Sequence, residues 1–320
     1  MKVHIWGAAG YAAAEVIRIL ENHPVELGAL ESRSHARERI GDHFPLLRTS
    51  PLQFEKEGSV VESACAGDVV ITAGSHGEAK ELINALLDAN VRVIDLASDF
   101  RLDDRAVYGL SEWNRPAIAG ASLVANPGCY ATAALLAMLP LARFGPPLQW
   151  IVDAKSGITG AGRNPAIGSL YAEVADDIRA YGLAGHRHQP EMERALCVHG
   201  ITAPLLFTPH VVPLARGMLA DVYALYPTSV EEARVRAAFD EVYARSPFIR
   251  LLKAAQTPSV ASVARTNDAE LRVDVRENAV RVLCAIDNLG KGAAGQAVQN
   301  LNVMLGYPEE TGFHERAIVA

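Results

Sequence analysis

Cysteine is scarce in this sequence, and long uncharged apolar runs are missing from it. The four cysteines (Cys65, Cys129, Cys197 and Cys284) lie far apart and form no CxxC pair. Neither a disulfide framework nor a zinc motif is therefore indicated, and a reducing cytosol fits this usage best. No apolar run reaches the roughly 18 residues that a membrane span needs, and the chain starts directly with a strand pattern rather than a signal peptide. We expect a cytoplasmic protein with no membrane partner.

An excess of basic charge is also missing. The 320 residues carry 30 Lys and Arg against 37 Asp and Glu, which gives a formal net charge of −7. This balance argues against nucleic acid as the main partner. Half of the residues are apolar, so the chain is long and apolar enough for two domains with proper cores.

The N-terminal stretch has the pattern of a dinucleotide-binding turn. A buried strand over residues 2–6 leads into a small-residue turn and then into a helix over residues 14–20. Strand, glycine turn and helix is the context in which such a fingerprint binds a pyrophosphate, because the helix N-terminus attracts the anion. The candidate cofactor residues in this turn are Gly7, Ala8, Ala9, Gly10, Tyr11 and Ala12.

The second strand pattern ends at residues that would reach the ribose of a bound dinucleotide. Glu31 would accept the 2′-hydroxyl of NAD, whereas Arg33, between Ser32 and Ser34, suits the 2′-phosphate of NADP. We favour NADP(H).

Further strands alternate with helices, which predicts a parallel sheet with both faces covered. Ligands on such sheets bind beyond the carboxyl ends of the strands. The segments expected there are residues 7–13, 32–34, 75–77 (with Ser75 and His76), 98–101 (with Ser98 and Arg101) and 126–130 (with Asn126). In the last of these, Pro127 and Gly128 make a turn that places Cys129 at a helix N-terminus, a setting that favours the nucleophilic thiolate.

The second half carries two further candidate segments. A strand over residues 150–155 leads to a glycine- and hydroxyl-rich loop with Ser156 and Gly157 that ends at Arg163, and Arg216 is a second candidate anion ligand. In the run from Tyr181 to Glu191, His186 and His188 share a face if the segment is extended. Either one is a candidate acid or base for a cysteine nucleophile, with Glu191 to orient the ring. Nothing in this run has the spacing of a metal site.

Taken together, these motifs resemble the N-acetyl-γ-glutamyl-phosphate reductase family, the arginine-pathway branch of the semialdehyde dehydrogenases. The resemblance spans nearly the full length and rests on residues 7–11, 32–34, 98–101, 126–130, 156–163, 186–191 and 287–292. Two departures stand in the first turn, where Ala9 replaces the usual Ser and Ala12-Ala13 the usual Thr-Gly.

The resemblance implies an α/β fold with two parts: a Rossmann-type parallel-sheet NADP-binding domain, and an α+β catalytic domain like that of glyceraldehyde-3-phosphate dehydrogenase. We place the first at residues 1–128, completed by a C-terminal helix at about 290–320, and the catalytic and dimerisation domain at 129–289. It implies Cys129 as nucleophile and His186 or His188 as acid/base. We also expect a cofactor contact from Asn288, and the candidate substrate-binding residues are Arg101, Asn126, Ser156, Gly157, Arg163 and Arg216. The implied partners are NADP(H), an acyl-phosphate substrate, inorganic phosphate, and a second or further copies of the chain in a homodimer or homotetramer.

Three alternatives stay open at this point. A sister branch reduces a carrier-bound aminoadipyl phosphate in lysine synthesis. An NADP-sensing regulator would keep the nucleotide domain but would not need the cysteine, the histidines or the arginine-containing loop. A cofactor-free cysteine acyltransferase would not bind NADP(H).

Overall fold

The computed structural model describes residues 1–313. Strands are numbered β1 to β13 in chain order: Lys2–Trp6, Glu26–Glu31, Val69–Thr72, Arg92–Asp95, Val107–Tyr108, Leu123–Ala125, Gln149–Gly157, Arg179–Ala180, Leu205–Val212, Met218–Leu225, Ile249–Leu251, Ala269–Arg276 and Ala279–Ile286. Helices are numbered α1 to α11: Tyr11–Leu20, Ile40–His43, Ser59–Ser63, Lys80–Asp88, Ser111–Ala119, Cys129–Met138, Tyr171–Val174, His188–Val198, Glu232–Tyr243, Val260–Val263 and Gly295–Leu305.

The chain divides into two compact units. The first unit comprises Met1–Pro127 together with the segment that starts at Ala293, and the second unit is Gly128–Gly292. Among residues 1–313, no helix combines the length and the apolar character that crossing a membrane requires.

The first unit is built on a six-stranded sheet in the order β2-β1-β3-β4-β6-β5. Every neighbouring pair in it is parallel. One core packs Val3 and Ile5 of β1 against Val16 and Ile17 of α1, and a second core contains Val70, Val93 and the inward residues of α4. Such burial on both faces is what an all-parallel sheet requires.

Helix α11 contributes buried amides as well as apolar side chains to the first unit. Gln296 donates to Ser111 Oγ at 2.9 Å, and that hydroxyl donates to Asn300 Oδ1 at 2.6 Å. Asn300 Nδ2 in turn donates to the carbonyl of Gly109 at 2.8 Å and to Asn126 Oδ1 at 3.0 Å. Buried polar groups are tolerated when they are satisfied in this way. This polar network fixes the position of α11 in the first unit.

The C-terminal helix is shorter than the predicted span of about 290–320. A π-helical turn occupies Gly290–Ala294, and α11 then ends at Leu305, where Gly306 takes a left-handed conformation with φ of 74°. A glycine in this conformation is a common helix stop, because it has no Cβ penalty there. Residues 307–313 are not helical, and residues 314–320 of the predicted span lie outside the described part.

The second unit is built on a seven-stranded mixed sheet in the order β11-β12-β13-β10-β7-β9-β8. Helix α6 packs on β10, β13 and α8. Because α6 is predominantly apolar on all faces, it is buried from Tyr130 to Met138. Its first residue, Cys129, is therefore held at the end of a rigid element. The predicted fold class, an α/β chain with a parallel sheet followed by a strand-rich second part, is confirmed.

Candidate active site

Cys129 begins helix α6, as the sequence predicts. Gly128 is the N-cap residue, in an extended conformation with φ of −72° and ψ of 149°. Thr132 closes the first turn, since its N–H donates to the carbonyl of Gly128 at 2.8 Å. Cys129 itself is partly exposed, so the thiol stands where helix N–H groups are unpaired by the helix itself and the helix dipole is positive.

Helix α8 brings two of the predicted side chains onto the residue before the cysteine. His188 and Glu191 are three positions apart, which places them on one face of the helix. The Glu191 carboxylate accepts the N–H of Gly128 at 2.8 Å. The His188 ring lies so close to Gly128 that a Cβ added there would stand 2.2 Å from Nε2. The φ angle of Gly128 would allow any residue, so the backbone does not require glycine there. Glycine is required because a side chain would collide with the His188 ring.

His186 lies just outside helix α8, in contact with His188. The segment is helical from His188 rather than extended, so the two rings do not share a strand face; they meet edge to face with centroids 4.8 Å apart. His186 Nδ1 accepts the backbone N–H of His188 at 3.1 Å. This bond requires an unprotonated Nδ1, so the ring is neutral with its proton on Nε2. Burial, reinforced by the neighbouring Arg187 charge, lowers the pKa of His186 to about 4.

Two tyrosines complete this cluster and were missed as site residues. Tyr181 Oη donates to Tyr130 Oη at 3.2 Å, and Tyr130 Oη donates to the carbonyl of His210 at 2.8 Å. The Tyr130 ring packs edge-on against both His186 and His188. Burial raises the pKa of both phenols above the usual range, so both remain neutral hydrogen-bonding groups. The sequence signal was present, since Tyr130 follows the cysteine directly and Tyr181 opens the histidine run.

The glycine-rich loop after β7 is joined to the turn before β10. Gly157 donates to the carbonyl of Gly217 at 2.8 Å, and Ile158 donates to that of Leu214 at 2.8 Å. A Cβ on Gly157 would stand 2.8 Å from the Leu214 oxygen, so the close approach of the two backbones requires glycine. The two predicted anion segments, around Ser156 and around Arg216, are thereby brought together.

Arg216 is oriented by a buried carboxylate. Its Nε lies 3.0 Å from Asp287 Oδ2, and its Nη2 donates to Oδ1 at 3.0 Å. Asp287 is fully buried and also accepts the N–H groups of Leu289 and Gly290 at 2.8 Å each. Such a multiply bonded carboxylate holds the guanidinium in one place, although it also neutralises part of its charge.

The turn after Asp287 packs directly on the cysteine. A Cβ added to Gly292 would stand 2.7 Å from Cys129 Cβ. The amide of Asn288 joins the turn before β10 to the glycine-rich loop: Oδ1 accepts from Gly217 N–H at 2.7 Å, and Nδ2 donates to Thr159 Oγ1 at 3.0 Å. Its contact with the cofactor stays a prediction. Arg163 lies at the far end of that loop, beyond Gly162, and is half-buried.

In the first unit, the predicted dinucleotide turn has the geometry that such a turn needs. Gly7 has φ of 78°, and a Cβ there would stand 2.7 Å from the backbone nitrogen of Gly74. Gly10 is the N-cap of α1, and a Cβ there would only reach ordinary contact, 3.5 Å from the Ala73 oxygen. Gly7 is thus required by the fold, whereas the space beside Gly10 at the helix N-terminus remains available to a ligand.

At the end of β2, the structure separates the two candidate ribose ligands. Glu31 is buried, and its carboxylate accepts the N–H of Val60 at 2.9 Å, so it holds the start of α3. Arg33 and Ser34 are exposed, and Arg33 pairs with Glu78 at 2.6 Å between two largely solvent-accessible side chains. An exposed pair is weak, which leaves Arg33 able to exchange its partner for a phosphate. Ser32 is buried next to it.

The loops after β3 and β4 are joined at the same edge. His76 Nδ1 accepts the N–H of Ser98 at 3.1 Å and lies 3.2 Å from its hydroxyl. Ser75 is exposed beside them. These residues therefore lie next to one another, as the predicted parallel sheet requires.

Two of the predicted substrate ligands make hydrogen bonds within the first unit. Arg101 is buried and donates to the backbone carbonyls of Asn126 at 2.9 Å and Leu96 at 2.8 Å. Asn126 Nδ2 donates to the carbonyl of Ala293 at 3.0 Å, and its Oδ1 accepts from Asn300. Both side chains hold backbone segments in place, a use that strand-end position alone does not distinguish from ligand binding.

Two family models match the chain, and they match its two units in turn. The NAD-binding domain of semialdehyde dehydrogenases matches residues 2–121, and their dimerisation domain matches residues 129–288. The chain belongs to the semialdehyde dehydrogenase family. The predicted enzyme class, an aldehyde-forming oxidoreductase with a nicotinamide dinucleotide, agrees with both matches.

Similar curated proteins place this member of the semialdehyde dehydrogenase family on one branch. Relatives named N-acetyl-gamma-glutamyl-phosphate reductase come from Brevibacillus brevis, at 40% identity over 98% of this chain and 97% of the relative, and from Pelotomaculum thermopropionicum, at 42% identity over the same shares. A Bordetella pertussis relative of the same name is 40% identical over 100% of this chain and 98% of its own length. The resemblance predicted from the motifs is confirmed.

Solved semialdehyde dehydrogenase structures share the fold. Aspartate semialdehyde dehydrogenase II from Vibrio cholerae superposes with a TM-score of 0.75 at 19% identity, covering 95% of this chain and 98% of that one. The enzyme from Candida albicans, solved with NADP, gives a TM-score of 0.70 at 16% identity and covers 95% and 98%. At these identities the likeness supports the fold alone.

Proposed function

We propose that the protein reduces N-acetyl-glutamyl 5-phosphate to N-acetyl-glutamate 5-semialdehyde with NADPH, through a thioester on Cys129, in arginine biosynthesis. The observation that carries the proposal is the packing of His188 and Glu191 on Gly128, which joins a cysteine at a helix N-terminus to an acid/base group and a carboxylate. Curated relatives at about 40% identity over nearly the whole chain carry the corresponding name.

The chemistry follows from the groups around Cys129. The thiolate attacks the acyl carbon, the phosphate leaves with the electron pair of the carbon–oxygen bond, and a thioester forms. NADPH, when bound, supplies the hydride that reduces this thioester. A histidine donates a proton to the resulting oxyanion and takes that proton back when the thiohemiacetal collapses, which releases the aldehyde and the thiolate. Passing through a covalent intermediate divides one difficult step into two easier ones.

We assign the acid/base role to His188 rather than His186. The ring of His188 lies against Gly128, one residue from the nucleophile. His186 packs behind it, is neutral, and accepts the His188 backbone N–H. A ring whose pKa is about 4 is a poor general acid near neutral pH, because an efficient acid/base catalyst has a pKa near the working pH. His186 and Tyr130 then fix the position of the His188 ring.

Substrate anions would be held by the joined loops that carry Ser156, Gly157 and Arg216, with Arg163 at the outer end. The dinucleotide would be held by the turn from Gly7 to Ala12, with its 2′-phosphate on Arg33 and Ser34. The commitment of Glu31 to the N–H of Val60 supports NADP(H) over NAD(H), since that carboxylate is then not oriented toward a ribose.

A homodimer or homotetramer and a cytoplasmic location belong to the same proposal. The second unit matches a dimerisation domain, and it exposes large apolar side chains at Ile167, Tyr171, Leu183 and Val198. Apolar groups that water reaches in a single chain are typical of a surface that a second copy covers. The absence of disulfides among the four cysteines of the described part is compatible with a reducing compartment.

The test is the reaction run backwards. Purified protein is mixed with N-acetylglutamate 5-semialdehyde, phosphate and either NADP⁺ or NAD⁺, and reduction of the nucleotide is followed by absorbance. We expect activity with NADP⁺ that disappears when phosphate is left out. Activity only with NAD⁺ would contradict the assignment of Arg33. If N-acetylglutamate 5-semialdehyde is not oxidised with either nucleotide but a carrier-bound aminoadipyl semialdehyde is, the latter is the substrate. Nucleotide binding without turnover of either compound would favour a sensing regulator.

A further inference from the structure

We propose that His35, Glu38 and His43 form a binding site for a divalent transition metal ion of the zinc class. Their ligand atoms all lie within 4.8 Å of one another. The three residues belong to the first unit and share no member with the candidate active site. The spacing of these residues in the sequence did not indicate a metal motif, so the site is a product of the fold.

One of the distances between the ligand atoms is close to the distance that a metal ion imposes. His43 Nε2 lies 2.6 Å from Glu38 Oε2, and His35 Nδ1 lies 3.5 Å from the same oxygen. Zinc bonds of about 2.0–2.1 Å in a tetrahedron separate neighbouring ligand atoms by about 3.4 Å. One distance therefore already fits, and the other would lengthen when the metal replaces the hydrogen bond between His43 and Glu38.

The backbone around the three ligands is held in place before any ion binds. Arg37 N–H donates to the Phe54 carbonyl at 2.7 Å, Phe54 N–H donates to the Glu38 carbonyl at 3.0 Å, and Ile40 N–H donates to the Leu52 carbonyl at 3.0 Å. The Phe54 ring packs against both imidazoles, with centroids 5.9 Å from His35 and 5.5 Å from His43. A site whose ligands are already oriented loses less entropy when it binds.

The donor set selects the class of ion. Two imidazoles and one carboxylate suit zinc and similar borderline ions, with water in the fourth position, whereas calcium needs six to eight oxygen ligands. Arg33, Arg37 and Arg39 lie in the same segment, which further disfavours a hard cation held by charge alone. The side chains of His35, Glu38 and His43 are 29%, 51% and 16% exposed, so an ion can enter from solvent.

The experiment measures zinc bound to the full-length protein by equilibrium dialysis. Exposed thiols also bind zinc, so the background is the C65S/C197S protein with Cys129 alkylated. We expect one zinc ion per chain. Because loss of an outer partner of a metal ligand already costs about 10- to 100-fold in affinity, His35→Gln and His43→Gln should each cost at least that much. His199→Gln, outside the cluster, is the matched control and should bind as the background protein does.

Thermal melting keeps the test valid if a variant is less stable. Zinc binds the folded chain, so it should raise the melting temperature of the background protein and of the control, but not of the His35 and His43 variants. Millimolar calcium or magnesium should not displace the zinc. No zinc binding in the background protein, or binding that all the cluster variants retain, would overturn the proposal; displacement by calcium would overturn the assigned ion class.

Discussion

Replacement of Gly128 by alanine tests the geometry that links the cysteine to the histidine. The backbone of residue 128, with φ of −72° and ψ of 149°, accepts any residue, so Gly128→Ala introduces no backbone strain. The new Cβ would stand 2.2 Å from His188 Nε2 and 2.6 Å from two ring carbons. Because carbon contacts are optimal at about 3.5 Å, the ring must retreat by about 1 Å.

The magnitude follows from that displacement. A misplacement of about 1 Å in a reacting group can cost about 100-fold in rate, and overpacking a buried site costs about 1–3 kcal/mol of stability. We expect Gly128→Ala to fold, to melt at a lower temperature, and to lose about 100-fold in kcat for phosphate-dependent reduction of NADP⁺. Gly120→Ala is the control, since residue 120 has φ of −101° and a Cβ there meets nothing within 4 Å.

A double variant separates the clash from any other effect. In a His188→Ala background the new methyl group has room, so Gly128→Ala should change kcat by less than about 3-fold there. The effects of the two substitutions should not be additive, because the two residues are in contact. Two losses that simply multiply would refute the reasoning, as would a Gly128→Ala protein with the wild-type kcat.

Three further predictions concern the nucleophile, the coenzyme and pH. Cys129→Ser should lower kcat by about 10⁴-fold or more and leave NADPH binding, followed by fluorescence, unchanged; wild-type turnover would exclude the thioester route. Arg33→Ser should raise the KM for NADPH by about 10- to 100-fold, because a hydrogen bond to a charged group contributes about 1.5–3 kcal/mol, while the KM for NADH changes little; an equal rise for both coenzymes would place Arg33 elsewhere. The folded-state pKa of His186, lowered from 6.5 to about 4, means that the unfolded chain takes up the proton first, so wild-type stability should fall as pH drops from 6.5 to 4. The full difference corresponds to about 3 kcal/mol, and less for a half-buried ring. Urea denaturation at pH 7 and pH 5 should show a smaller loss for His186→Asn, and an unchanged loss would show that other groups carry the pH dependence.

Short-range signals in the sequence were sufficient for the fold and for the position of Cys129 at a helix start. Strand patterns that alternate with helix patterns predict a parallel sheet, because a helix between two strands lets both strands run in the same direction. Pro127 and Gly128 after an apolar strand run place Cys129 at a helix start for the same local reason. The start of the first helix after the glycine turn, and the position of Arg33 at the end of the second strand, were also predicted from the sequence.

The tertiary structure alone decided which long-range partners these residues have. Only folding shows that His188 rather than His186 lies on Gly128, and that Glu191 accepts the Gly128 N–H. Arg101 illustrates the same limit, because a strand-end arginine binds a ligand or a carbonyl according to what packs beside it.

Two ligands of the proposed metal site precede helix α2 and the third ends it, and the sequence pattern does not reveal that they meet. Periodicity and turn residues encode local conformation, whereas the cluster around Gly128 depends on side chains that meet after segments distant in sequence have packed. The sequence by itself therefore determined the elements, their order and the chemistry available, and the packing determined which groups carry it out.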